Sequence, residues 1–276
     1  MITLLAGIQL TPDVLRTLST VRDAVGNARS QQQANGLMTW VRDYEPQLRS
    51  LIPMEEIERL MLTRRYWAVV ADPRNVEVLT MASAELDDAK ARWDFEIAEL
   101  DAWTKRWSVG DLFVAADTNV YLHHTQAFEE IDWRTTTHRL PFDNIRFVIP
   151  MIVVDELDRL KDTGQGHVRT RARTTLRTIA GMFDAADGMQ HHGLENSTAD
   201  AGWTVANIVP DPTGRYVRYP RADDEIVRRL TSLRDTTCKN VILVTYDVGM
   251  SLRARVAGLT PLLLERPPDS GDKPKL

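Results

Sequence analysis

The chain has 276 residues, a formal net charge of −5, and charged and apolar fractions that are ordinary for a globular protein. The acidic balance argues against a protein that coats DNA without specificity, because such proteins carry an excess of basic residues. The single cysteine, Cys238, excludes an intrachain disulfide and a zinc site built from cysteines. No segment approaches the roughly 18 apolar residues of a membrane span. The first residues lack a basic leader, so we expect a cytoplasmic protein with no membrane partner.

The first part of the chain, residues 1–108, is predicted to be a mostly α-helical N-terminal domain. Thr11 or Asp13 can cap the first helix, and the segment 66–70 fits either a strand or the end of a helix. The expected helices cover residues 12–33, a segment around residues 37–44 that Pro46 interrupts, a segment after Pro53, and residues 76–107.

The longest of these helices carries an apolar stripe from Leu79 to Trp107, whose members are three and four positions apart. Such a stripe packs against other helices of the same chain, or it forms the seam between two chains. We expect packing within the chain. The stripe leaves open a homo-oligomer or a protein partner that binds through the N-terminal helices.

After residues 108–110 the pattern changes to alternating strands and helices, which predicts an α/β fold with a doubly wound parallel sheet flanked by helices. This domain is expected to cover residues 109–265, with an insertion at about 184–220 and a disordered tail at 266–276. The expected strands are residues 111–117, 146–150, 241–245 and 261–264, with an added strand at 203–209. The expected helices are residues 119–130, 152–161, 168–183, 223–235 and 248–257.

Carboxylates stand where these elements meet. Asp117 ends the first strand, Asp247 follows the strand at 241–245, and Glu156 and Asp223 (or Asp224) lie at the starts of helices. Each acid alone can be a helix cap or a first-turn residue, but together they can meet at the carboxyl edge of one sheet, where ligands bind. Such a cluster needs a cation, and Mg²⁺ or Mn²⁺ takes oxygen ligands. A metal held there favours phosphodiester hydrolysis, because it activates water and stabilises charge on a phosphoryl group.

Four short segments resemble, in order, the four motifs of PIN-domain ribonucleases. They are Asp117-Thr-Asn119-Val, Asp155-Glu156-Leu, Asp223-Asp-Glu-Ile226 and Thr245-Tyr-Asp247. The resemblance covers about residues 111–265 and looks closest to the larger PIN domains fused to PhoH-type ATPases. It implies a PIN-like fold and a metal-dependent endoribonuclease in which a metal-activated water is the nucleophile. The chain has no Gly-rich phosphate loop, so ATP hydrolysis is not expected.

The resemblance also implies a role for each acid in this sequence. It makes Asp117, Glu156, Asp223 and Asp247 catalytic metal ligands for Mg²⁺ or Mn²⁺, with Asp224 as the alternative to Asp223 or an extra ligand. Glu156 is preferred to Asp155 because it directly precedes a leucine. Asn119 is expected to orient the loop after the first strand, and Thr245 to place a hydroxyl near the substrate. Many members have a further acidic residue two positions after Asp247, where this chain has Gly249.

An arginine-rich helix follows Glu156. Arg169, Arg173 and Arg177 are four positions apart and share one face. This face can follow the phosphate backbone of RNA, expected to be single-stranded, or it can be an ordinary solvated surface. His123 and His124 can contact substrate or metal, but we expect them to lie on a helix surface.

Two other functions remain open from the sequence. The PIN-like domain can be a non-catalytic RNA-binding or assembly module, although the complete acidic set argues against a dead site. It can also be the nuclease of a toxin–antitoxin pair. Such toxins are usually little more than the bare domain, so the preceding 108 residues argue against this assignment.

Overall fold

A computed structural model describes residues 2–5, 7–30, 33–183, 192–194, 202–212 and 216–266. The chain forms two compact units. The first comprises Met1–Val109 with Asp235–Cys238, and the second comprises Gly110–Arg234 with Lys239–Leu276. The tail predicted at 266–276 lies, after its first residue, outside the described residues.

The first unit is helical. Three of its helices begin at residues whose side chains cap them: the Thr11 hydroxyl accepts from the Val14 N–H, the Thr63 hydroxyl from the Tyr66 N–H, and the Asn75 side chain from the Glu77 N–H. The helices are α1 (Pro12–Arg29), α2 (Gln33–Leu48), α3 (Met54–Leu60), α4 (Arg64–Ala71) and α5 (Val76–Arg106).

Two sequence predictions for this unit need correction, and one open alternative is resolved. The first helix ends at Arg29 instead of residue 33, because the chain closes a turn there in which the Ser30 N–H donates to the Asn27 carbonyl. Pro46 does not interrupt the second helix: it lies in the last turn, so its missing N–H removes one hydrogen bond and the helix ends two residues later, at Leu48. The ambiguous segment 66–70 is helical, because it continues from the Thr63 cap into α4.

The apolar stripe of α5 forms much of the core of the first unit. Helices α1, α2 and α4 pack against it. The buried members of the stripe are Ala82, Leu86, Ala89, Trp93, Ile97 and Leu100. The stripe is therefore buried by helices of the same chain, and apolar burial of this kind is the main force that stabilises a helical unit.

Trp93 and Phe95 give a matched test of this packing, because they lie on opposite faces of one helix. Trp93 is fully buried, whereas Phe95 is 57% exposed. We expect Trp93→Ala to lower the free energy of unfolding by about 3–5 kcal/mol, since it leaves a cavity in the core. Phe95→Ala should change it by about 0.5 kcal/mol or less. Urea denaturation followed by circular dichroism measures both, and equal small effects would contradict the assignment of the core.

The second unit is built on a six-stranded sheet with the strand order β3-β4-β2-β1-β5-β6. All neighbouring strands are parallel except the edge pair β3 and β4. Its elements in chain order are β1 (Leu112–Ala116), α6 (Thr118–His123), α7 (Trp133–Thr136), β2 (Ile145–Pro150), α8 (Met151–Thr163), α9 (Gly166–Met182), β3 (His192–Gly193), β4 (Thr204–Val209), α10 (Ala222–Thr237), β5 (Val241–Thr245), α11 (Val248–Val256) and β6 (Thr260–Leu263).

The central strands β1, β2 and β5 are buried at every position. They are mostly apolar, as strands covered on both faces require, and the charged residue that β2 buries is Arg146. The strand expected at 203–209 is β4, and it pairs with β2 along its whole length. The predicted α/β class with a parallel sheet flanked by helices is therefore confirmed. No helix in the described part of the chain is long and apolar enough to cross a membrane.

The helix predicted at residues 119–130 is shorter in the structure, so its predicted length is wrong. The helix α6 ends at His123, and His124 has an extended backbone. The side chain of Arg171 accounts for this end, because its guanidinium donates to the Tyr121 carbonyl at 3.2 Å and to the His124 carbonyl at 3.1 Å. These carbonyls thus find a partner on α9 instead of a further helical turn.

The strand order places a switch point between β1 and β5. The chain leaves β1 toward β2 on one side, and later returns to β5 on the other side of β1. At such a point the two following loops separate and open a crevice at the carboxyl edge of the sheet. The residues that follow β1 and β5 are Asp117 and Tyr246.

Candidate active site

Asp117 lies directly after β1, and its carboxylate is almost fully buried, with 3% exposure. One oxygen, Oδ1, accepts from the Val120 N–H at 3.0 Å and so caps α6. The other, Oδ2, accepts from the hydroxyl of Thr245. The site therefore begins with a carboxylate that a helix start and a neighbouring strand hold in place.

Thr245 links two of the predicted site residues. It is fully buried at the end of β5, and its Oγ1 accepts from the Asp247 N–H at 2.9 Å while its hydroxyl donates to Asp117. Asp247 in turn caps α11, because its Oδ1 accepts from the Met250 N–H at 2.9 Å. Asp117 and Asp247 are therefore the capping residues of two helices at adjacent strand ends, joined through one hydroxyl.

The pKa of Asp117 is raised to about 6, from an ordinary value of 3.8. Burial is the main cause, because it disfavours the charged form. The hydrogen bonds from Thr245 and Val120 oppose it, and the negative charge of Asp223 raises the pKa further. Burial, together with the charge of Asp117, also raises the pKa of Tyr121 and of Tyr246. A nearby cation would therefore stabilise the ionised form of Asp117.

Glu156 lies on α8 and accepts a 2.5 Å hydrogen bond from the hydroxyl of Thr118, the residue after Asp117. Its neighbour Asp155 is instead exposed and pairs with Arg218. Of the two acids in this motif, the structure places Glu156 beside the loop that carries Asp117.

Asp223 and Asp224 lie in the first turn of α10, where the helix dipole favours negative charge. Both pair with Arg253 of α11: its Nη1 is 3.1 Å from Asp223 Oδ2, and its Nε is 3.3 Å from Asp224 Oδ1. Arg253 therefore supplies positive charge to this part of the acidic edge, and no motif in the sequence indicated it.

Gly249, where many PIN domains have an acid, lies beside Arg253. A Cβ at this position would stand 3.0 Å from Asp247 Oδ1 and 3.5 Å from Arg253 Nη1. A side chain here would therefore crowd the Asp247 carboxylate and come into ordinary contact with the guanidinium. In this chain the space beside Gly249 is thus occupied by the guanidinium of Arg253, and Gly249 itself adds no further carboxylate.

The predicted ligands have the right donor chemistry for Mg²⁺ or Mn²⁺, because they offer oxygen atoms alone. Among the described residues, however, no three acidic, histidine or cysteine side chains lie close enough together to hold a metal ion. The negative charge of Asp223 raises the pKa of Asp117, while Asp223 and Asp224 both form ion pairs with Arg253. The residues thus fit a divalent cation by chemistry, and the four-ligand site stays a prediction.

The predicted substrate-binding residues occupy two places. Asn119 is exposed in α6, and its backbone N–H donates to Asp117. Arg169, Arg173 and Arg177 are exposed on one face of α9. Arg169 donates to the Lys161 carbonyl at 3.2 Å, and in the described part of the chain neither Arg173 nor Arg177 makes an ion pair. This face is a row of accessible positive charges.

The family is shown by comparison with known proteins. The family model for the PIN domain matches the sequence of residues 114–262, which is more than half of the chain and includes all the predicted carboxylates. The chain belongs to the PIN-domain family. PIN domains are generally nucleases, so the carboxylate edge is the expected place of the chemistry. A comparison with curated proteins finds no match, and the likeness to PhoH-fused PIN domains stays a prediction.

The raised pKa of Asp117 gives the metal-free protein a specific pH dependence. The folded state holds this proton more tightly than the unfolded state, so Asp117 stabilises the fold at low pH. That contribution is lost as the pH rises through about 6. Asp117→Asn keeps an oxygen to cap α6 but does not ionise. In EDTA, we expect the unfolding free energy of this variant, relative to the native chain, to rise by roughly 1–2 kcal/mol between about pH 5 and pH 7.5.

Asp132→Asn is the matched control, because Asp132 caps α7 in the same unit. Burial opposes its ionisation, but hydrogen bonds from Thr135 and Arg134 outweigh burial and lower its pKa below 3.8. Its contribution to the free energy of unfolding therefore does not change over this pH range. The difference in unfolding free energy between Asp132→Asn and the native chain should stay constant. A constant difference for Asp117→Asn as well would show that its pKa is not raised.

Proposed function

We propose that this PIN-domain protein is a metal-dependent endoribonuclease that hydrolyses phosphodiester bonds in single-stranded RNA. The observation that carries the proposal is the link through Thr245, which joins Asp117 and Asp247 at the switch point of the sheet. A buried carboxylate with a raised pKa at a switch point is typical of a functional site. Membership of a family of nucleases gives the class of reaction.

The residues of the chain have distinct tasks in this proposal. Asp117 and Asp247 form a pair of ligands, because each side chain caps a helix and Thr245 bonds the Asp117 carboxylate and the Asp247 backbone. Glu156, held by Thr118, and Asp223 complete the ligand set, with Asp224 as an alternative. When bound, Mg²⁺ or Mn²⁺ supplies Lewis acidity toward the phosphoryl oxygen and activates a water. No covalent enzyme intermediate is expected.

Arg253 has two possible consequences for this site. It neutralises Asp223 and Asp224 in the metal-free state, so that acidic side chains can lie close together. A metal ion at Asp223 would have to share that carboxylate with Arg253. A guanidinium freed from Asp223 would lie beside the acidic edge, where its donors would suit a phosphate oxygen.

We also propose that the chemistry resides in residues 109–265, and that residues 1–108 form a separate helical domain for a protein partner or a second copy. The exposed arginines of α9 are proposed to guide the RNA backbone toward the carboxylates. Arginine suits this task, because its fork of donors matches a phosphate group.

The first test is cleavage of a labelled mixed-sequence RNA with Mn²⁺, with Mg²⁺ and with EDTA. We expect the protein to cleave the RNA with Mn²⁺ or Mg²⁺ and not with EDTA. Asp117→Asn should slow cleavage by more than about 100-fold, beyond the 10–100-fold loss typical of an outer partner of a metal site. Asp132→Asn, which replaces another capping aspartate of the same unit, should cleave like the native chain. Full activity of Asp117→Asn would contradict the metal-site proposal.

A second test concerns the arginine face. Replacing Arg169, Arg173 and Arg177 together by Ala should weaken RNA binding and lower the slope of log Kd against log salt by about 2, since each phosphate contact on a single strand adds roughly 0.7. The matched control is the triple alanine variant of Arg16, Arg42 and Arg49, which are exposed arginines of the first unit. An unchanged slope in the first variant would make the α9 face an ordinary surface.

A non-catalytic RNA-binding module is the second candidate. It is favoured by the pairing of Arg253 with both acids of α10 and by the absence, within the described residues, of three convergent ligands. Tight RNA binding without cleavage in any metal would support this candidate.

A further inference from the structure

A short segment beside the carboxylates, residues 216–221, presents an aromatic ring to solvent. Tyr219 is 50% exposed. The guanidinium carbon of Arg228 lies 4.6 Å from the centre of the Tyr219 ring and 4.8 Å from that of Tyr216. Arg228 thus supports both rings at distances typical of cation–π contacts.

A buried acid holds the backbone that carries the Tyr219 ring, while Arg228 contacts the ring itself. Glu225 is fully buried, and its two oxygens accept from the Tyr216 hydroxyl and, at 2.9 Å, from the Tyr219 N–H. Arg228 also donates to the Val217 carbonyl at 3.2 Å. A buried carboxylate that holds a loop in this way restricts the loop, because moving the loop would leave the charge without partners. The exposed ring is therefore preorganised.

This segment also lies next to the proposed active site. Arg218 pairs with Asp155, which directly precedes Glu156. Arg228 follows Asp224 by four positions on α10 and so lies one turn away on the same face. Tyr219 precedes Asp223 by four residues, so their Cα atoms are at most about 15 Å apart, and a strand with its phosphate at the carboxylates would pass near the ring.

We propose that Tyr219, supported by Arg228, is a stacking platform for one base of the single-stranded RNA bound at the carboxylate edge. An aromatic ring binds any base through its face, and an adjacent arginine adds to this attraction. The platform would position the RNA without reading its sequence. The inference rests on the proposed ribonuclease function, and it makes Tyr219 a substrate-binding residue outside the motifs found in the sequence.

The test combines protein variants with RNAs that lack a single base. Binding of the full chain to a short single-stranded RNA is measured with Ca²⁺ in place of the catalytic ion, and an abasic nucleotide is moved along the strand. Tyr219→Ala should raise Kd about tenfold, within the range that one stacked base contributes. Tyr219→Trp should retain native binding. Phe142→Ala removes an exposed aromatic, 74% accessible, that precedes β2 at the opposite edge of the sheet, and should change nothing.

The decisive comparison is between the two kinds of change. In the native chain, one abasic position should weaken binding as much as Tyr219→Ala does, and the same position should have no further effect in Tyr219→Ala. Independent, additive effects, or native affinity of Tyr219→Ala in a chain that still binds and cleaves RNA, would overturn the platform alone. Absence of RNA binding and cleavage by the native chain would overturn the proposed function and the platform together.

Discussion

The arrangement of the carboxylate edge depends on two hydrogen bonds of the Thr245 hydroxyl. This hydroxyl donates to one acid and accepts from the backbone of another, and it can do so only because β1 and β5 are neighbours in register, with Ala116 opposite Val244. Both strands are buried at every position, so a shift by one residue would disrupt the close packing of their side chains on both faces of the sheet. The apolar packing of the sheet thus determines the positions of the polar groups at its edge.

Much of this arrangement could be predicted from the sequence. The runs at 112–116 and 241–244 are continuous and apolar, which indicates strands buried on both faces, and an aspartate follows each of them within three residues. Alternation of strands and helices then implies a parallel sheet, so that acids at strand ends share one edge. These inferences need only local patterns and one general rule of topology.

The remainder depends on contacts between residues that are distant in the sequence. The early end of α6 follows from Arg171, about fifty positions away, which takes the carbonyls that a longer helix would use. The pairing of Arg253 with Asp223 and Asp224 depends on how α10 and α11 pack. Glu225 stands next to the predicted ligands, yet it is buried and holds a loop. A carboxylate in the first turn of a helix has the same sequence signal in either role, and only its tertiary partners separate the two.

The double role of Asp117 has a consequence for how this family can lose activity. The same side chain starts α6 and belongs to the acidic edge, so most replacements would remove the cap together with any catalytic role. Asparagine is different, because it is also a strong capping residue and carries no charge to bury. Under the proposed function, a single conservative substitution would therefore turn such a domain into a stable binding protein. A change from Asp to Asn at the end of β1 would be a readable mark of that transition in related genomes.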